Sequence, residues 1–218
     1  SFFTIQQITF LVDVYQGVAT KPRLLSYTLF VTFFPQLIAG PIVRHDETIP
    51  QFEKDETFVI NFGNLSLGLF CFFLGLFKKV VLGDTFGLIA TNGFADPSIL
   101  GTIDAWVSSL AYTFQLYFDF SGYSDMAYGL ALMFNIRLPV NFFTPYRSTN
   151  LVEFWQNWHI TLSRFITIYL YTPLVRIFGQ TSFPKAMFAT VLAMLIAGVW
   201  HGAGWNFVIF GALHGFGL

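Results

Sequence analysis

From Phe62 to Leu82 the chain carries no charged side chain until Lys78 and Lys79, near the end of the stretch. A helix needs about 20 mostly apolar residues to cross the hydrocarbon core of a bilayer. This run supplies them, with the two lysines placed to snorkel to the headgroups. The composition agrees: of 218 residues, 55% are hydrophobic and 11% charged, where soluble domains carry about 25% charged residues. We therefore expect an all-α polytopic membrane protein. Its 29 phenylalanines suit lipid-facing and helix-packing surfaces, and a net charge of -1 argues against nucleic acid as a partner. The single Cys71 lies in apolar Leu69-Phe-Cys-Phe-Phe-Leu74, which excludes an internal disulfide and disfavours a reactive thiolate. No basic n-region or cleavage site follows Ser1, so no signal peptide is read, and the sequence stops at Leu218 inside an apolar run. The expectation is one membrane domain over 1–218, cut from a longer protein at both ends.

Polar residues in such a background are the informative ones. His201 stands between Trp200 and Trp205, with Gly198, Gly202 and Gly204 around it. An ionisable group at membrane depth is costly and reads as functional by default. The glycines would let a helix or a substrate approach the imidazole closely; a histidine bonded to a backbone carbonyl is the alternative. Between Asp104 and Phe134 lies a second polar cluster, Gln115, Asp119, Ser121, Ser124 and Asp125. Its carboxylates should face protein or water, with Gly122 marking a local break. Neither has a His or Cys at ligand spacing, so no metal site is expected. A structural role for this pair is as open as a catalytic one.

Further along, Asn150 and Glu153 read as a capping-box-like helix start. At helical spacing Trp155, His159, Leu162, Ser163 and Ile166 then share one face, presenting a second histidine beside Trp158. The prolines and glycine of Phe34–Arg44 disfavour regular helix, which at membrane depth is tolerated where backbone is buried or lines a cavity. His45, among acidic neighbours, reads as a solvated surface residue, and His214 is expected to carry no chemistry. The turn around Asn92 and Asp96 lacks Lys and Arg, as on a face away from the cytoplasm.

Five motifs, in order and covering nearly the whole chain, carry a family likeness: Phe34-Pro-Gln-Leu-Ile-Ala-Gly-Pro-Ile-Val43, Gly75-Leu-Phe-Lys-Lys-Val80, Asp119-Phe-Ser-Gly-Tyr-Ser-Asp-Met126, Glu153-Phe-Trp-Gln-Asn-Trp-His159 and Gly198-Val-Trp-His-Gly202. With them the chain resembles the membrane-bound O-acyltransferase family, most closely its bacterial branch of alginate O-acetylation and D-alanyl transfer proteins. The resemblance implies an irregular helix horseshoe around a central tunnel, with His201 as the central histidine and His159 as the second polar position. The chain departs from the family pattern at Gln156 and Asn157, where members usually carry arginines. It departs again at Thr167 and Ile168, where Arg-Asp is common. This helix thus brings less positive charge to a phosphate-bearing donor.

The implied activity is acyl transfer, acetyl by preference, from a cytoplasmic thioester such as acetyl-CoA or an acyl carrier to a hydroxyl beyond the membrane. The acceptor is a polysaccharide or an acyl-accepting partner protein, and no permanent cofactor is needed. Imidazole, with an unperturbed pKa near ~6.5, suits the general base; His201 takes that role, and His159 orients a substrate or assists. Trp155, Trp158, Ser163, Trp200, Asp119 and Asp125 are candidate tunnel-lining or substrate-binding residues. A bacterial inner-membrane, multi-pass location in contact with lipid follows. The competing readings are a transporter that uses Asp119 and Asp125, and a non-catalytic membrane scaffold.

Overall fold

The computed structural model describes residues 2–19, 22–37, 40–179 and 182–218. Thr20, Lys21, Ile38, Ala39, Gln180 and Thr181, which fall in the expected loops and irregular motif, lie outside the described residues. Contacts divide the chain into two compact units, Ser1–Val140 and Asn141–Leu218. Helix dominates both, and no strand occurs among the described residues.

In the first unit, α1 (Phe2–Tyr15), α2 (Leu24–Thr32), α3 (Phe34–Leu37) and α4 (His45–Phe52) precede two long elements. The polar residues that interrupt α1 in the sequence face inward. Gln6 and Gln36 both donate to the Phe30 carbonyl, at 3.1 and 2.9 Å. That carbonyl sits in the last turn of α2, where no helical N–H reaches it. Phe30 also belongs to the buried apolar cluster with Val43, Ile49, Phe52, Ala127 and Leu138. His45 corrects the sequence reading: it is buried, its Nδ1 lies 3.5 Å from the Asp13 carboxylate, and its ring meets Phe10 edge-on. Its acidic neighbours mislead because the first turn of α4 sends exposed Asp46 outward while His45 turns in.

The long elements are α5 (Phe62–Phe77), running through a π-helical segment Lys78–Gly83 into α6 (Asp84–Ala95), and the unbroken α7 (Thr102–Met133). Among the described residues, two helical stretches, Phe62–Ala95 and Phe183–His201, are long and apolar enough to cross a membrane. Phe70, Phe73, Phe77 and Leu88 are exposed on the first of them, as lipid contact would require. Lys78 and Lys79 therefore do not end a span. They lie in mid-helix, Lys78 bonding Asp125 at 2.6 Å and Lys79 bonding Asp119 at 2.9 Å as well as Asp84. Nor does Gly122 break α7. It lets α5 approach, since a Cβ there would lie 2.7 Å from the Gly75 carbonyl oxygen and 3.0 Å from the Lys79 nitrogen.

The Lys78–Asp125 pair is partly exposed, at 23% and 36% of the side-chain surface. Its worth should fall between the ~1 kcal/mol ceiling of a surface pair and the roughly 3–5 kcal/mol lost on breaking a buried one. Asp125→Leu alone should lower the melting temperature in detergent. Adding Lys78→Met should restore part of the loss, because the double variant leaves no lone charge. A double variant no better than the single one would show that the two side chains do not act as a pair.

The second unit contains α8 (Leu151–Asn157), α9 (Ile160–Phe165), a π-helical segment Ile166–Tyr171, α10 (Thr172–Ile177), α11 (Phe183–His201) and α12 (Trp205–Gly217). α11 and α12 pack through small residues, a Cβ on Gly211 falling 2.5 Å from the Met194 carbonyl oxygen.

Candidate functional site

α8 starts as the residues dictate. The Asn150 side chain accepts from the Glu153 N–H at 2.8 Å, and the Glu153 carboxylate reaches back to the Thr149 N–H at 2.8 Å. The helix does not continue to His159. Trp158 is extended and His159 adopts the left-handed conformation, φ 44 and ψ 53. The single face from Trp155 to Ile166 is accordingly broken, and His159 reaches its position by a kink. A left-handed non-glycine residue is strained and persists where its surroundings over-determine it.

Those surroundings are the loop segment Asn141–Phe143. Phe143 N–H donates to Asn157 O and Ile160 N–H to Asn141 O, both at 2.9 Å, straddling the kink. The Asn141 side-chain oxygen lies 3.1 Å from His159 Nδ1 and accepts from Thr161 Oγ1 at 2.9 Å and Thr161 N–H at 3.3 Å. Trp158 packs edge-on against Phe142, with centroids 5.0 Å apart, and stacks on Phe154. Sequence reading missed Asn141, although its position in a polar loop eighteen residues upstream left no periodicity to betray it.

His159 is 2% exposed and lies outside the two candidate spans. Burial, and then the proximity of the His201 imidazole, hold its pKa below the ordinary value. His201 lies in the same compact unit as His159, Asn141–Leu218. His201 ends α11, its ring edge-on to Trp200 at 4.8 Å and to Phe210 at 5.9 Å.

Trp155 is buried, and its indole N–H donates to His214 Nδ1 at 3.2 Å. His214 thus belongs to an aromatic row, 4.5 Å from Phe210, that the sequence did not single out. Trp155, Ser163, Thr167 and Met194 line a largely apolar cavity of about 290 Å³. The Ser163 hydroxyl also donates to Trp158 O at 3.4 Å. Asp119 and Asp125 sit in the first unit with their lysines. Among the described residues, no three His, Cys, Asp or Glu side chains gather as a metal ion would need.

The family model that matches this chain is that of the membrane-bound O-acyltransferases, over residues 5–218. The chain belongs to the membrane-bound O-acyltransferase family. Within it, the chain is 48% identical to a peptidoglycan O-acetyltransferase of Helicobacter pylori, covering 100% of this chain and 46% of that protein. It is 44% identical to the probable alginate O-acetylase AlgI of Azotobacter vinelandii, over 99% of this chain and 42% of that one. A teichoic acid D-alanyltransferase of Bacillus subtilis is 27% identical over 98% of this chain and 56% of its own length. The chain spans about half the length of the curated relatives it matches. Like the rest of this family, it is a membrane protein.

Proposed function

We propose that this chain carries the reacting centre of a membrane O-acyltransferase. It would move an acyl group, acetyl in the O-acetyltransferase relatives, from a cytoplasmic thioester to a hydroxyl outside the membrane. The acceptor is a polysaccharide, in line with the peptidoglycan and alginate named for two relatives, or a partner protein that passes the group on. A multi-pass place in the bacterial inner membrane goes with that reading. One observation supports the site assignment: a buried histidine, His159, is held on a left-handed backbone against Asn141, in the same unit as His201.

In this scheme His201 takes the proton from the acceptor hydroxyl as its oxygen attacks the thioester carbonyl. The new C–O bond forms, the C–S bond breaks, and the departing thiolate recovers the proton from the imidazolium. The unit has no cysteine, and among its described residues no serine hydroxyl is hydrogen-bonded to a histidine, which favours direct transfer. His159 orients the acceptor, and the cavity beside Trp155 and Ser163 offers an apolar wall to the acyl or donor chain. The transport reading lacks comparable support, because Asp119 and Asp125 hold Lys79 and Lys78.

The test uses the full-length protein in membrane vesicles, labelled acetyl-CoA outside the cytoplasmic face and polysaccharide on the other. Alkali-labile label should accumulate in the polymer. Polymer that stays unlabelled while the protein is present and folded would overturn the proposal.

A further inference from the structure

We propose that Asn141 is a positioning residue that fixes His159 in one tautomer, with the proton on Nδ1 and the lone pair on Nε2. The proposal rests on the placement of His159 in the reacting centre, but its chemistry is read from other atoms.

An amide side chain can present oxygen or nitrogen, and the choice decides the histidine. Here it is forced by Thr161. Its backbone N–H points at the Asn141 side-chain atom from 3.3 Å, and a backbone N–H can only donate. The atom is therefore the oxygen. Thr161 Oγ1, at 2.9 Å, donates to it as well. An amide oxygen has no proton to give, so His159 Nδ1, at 3.1 Å, must hold the hydrogen in that contact. In a neutral imidazole one nitrogen is the donor and the other the acceptor, and the bond made by the first sets the second. Nε2 is left basic.

The backbone makes the arrangement rigid. Asn141 O accepts from Ile160 N–H, the residue directly after the histidine. One asparagine thereby holds the residue after the kink by its main chain and the histidine and Thr161 by its side chain. The left-handed turn at His159 and the tautomer are two results of the same clamp. The functional consequence is directional. Neutral His159 accepts a hydrogen bond through Nε2, such as one from an acceptor hydroxyl. It does not donate one through Nε2 to the oxyanion that forms when the thioester carbonyl is attacked.

The test is spectroscopic and uses the full-length protein, labelled with ¹⁵N in histidine, in detergent or nanodiscs. Imidazole ¹⁵N shifts separate protonated from unprotonated nitrogens, and a His159→Gln sample identifies the signal. The wild-type protein should show His159 neutral with Nδ1 protonated. Asn141→Leu should convert it to a tautomer mixture or to Nε2–H. Asn141→Asp, which keeps an acceptor oxygen and lacks a donor, should restore the Nδ1–H form. Acyl transfer by Asn141→Leu should fall by between about tenfold and the ~10⁴-fold that a wrong tautomer costs in a Ser-His-Asp triad. Nε2–H in the wild type, or an unmoved Nδ1–H signal in Asn141→Leu, would overturn the assignment. If His159→Gln keeps full activity while the tautomer behaves as stated, the role of His159 in transfer fails and the assignment of Asn141 stands.

Discussion

Replacing His201 with alanine should lower acyl transfer by about 10²–10⁴-fold, the usual contribution of a positioned general acid or base. It should leave the amount of protein in the membrane unchanged. The second half of that expectation follows from where the side chain sits. His201 is the last residue of α11 and is exposed in the unit, its ring edge-on to Trp200 and Phe210. Truncation there opens no core cavity. His201→Gln, which keeps polarity but cannot take a proton, should be as inactive as alanine. The measurement is the initial rate of label transfer from acetyl-CoA, normalised to membrane protein and taken beside a melting curve in detergent. Full rate in either variant would remove His201 from the chemistry. Loss of rate together with loss of fold in both would instead make it a structural residue.

Much of this was legible in residues whose partners are close in sequence. Asn150 caps a helix because Glu153 is three residues on, and α11 ends where Gly202 follows His201. The apolar runs marked both long spans. What stayed hidden depends on partners far along the chain. Lys78 and Lys79 read as a snorkelling end because nothing nearby reveals that Asp125 and Asp119 await them on α7. His159 read as one position on a smooth helical face because helical spacing carries no trace of Asn141–Phe143. That segment supplies the bonds that allow a kink. His45 looked solvated because its charged neighbours are local and Asp13 is not. In each case tertiary partners overrode a correct local pattern, and the miss fell on a polar residue, since polar groups in an apolar chain must be satisfied from somewhere.

The largest stability effect is expected at a glycine. Gly122→Leu should destabilise the first unit by more than the roughly 1–3 kcal/mol typical of overpacking, and Gly122→Ala should already be measurably impaired. The atoms that a Cβ would strike are the Gly75 carbonyl oxygen at 2.7 Å and the Lys79 nitrogen at 3.0 Å. Both are backbone, so no rotamer change relieves the clash and the helices must separate. Separation has a second cost here. Asp119, Gly122 and Asp125 follow one another at three-residue spacing along α7, so the two ion pairs flank the contact point. Pushing α5 away would stretch both at once and leave four charges to the membrane, where unpaired charge is expensive. The loss from Gly122→Leu should therefore exceed that from Asp125→Leu, which breaks one pair and leaves the packing intact. Gly101→Ala is the control, its added Cβ meeting only the movable Asp104 carboxylate at 3.2 Å. Thermal melting of the detergent-solubilised protein should rank the variants with the control nearest wild type and Gly122→Leu lowest. Gly122→Leu as stable as Gly101→Ala would mean that α5 and α7 do not touch at this glycine.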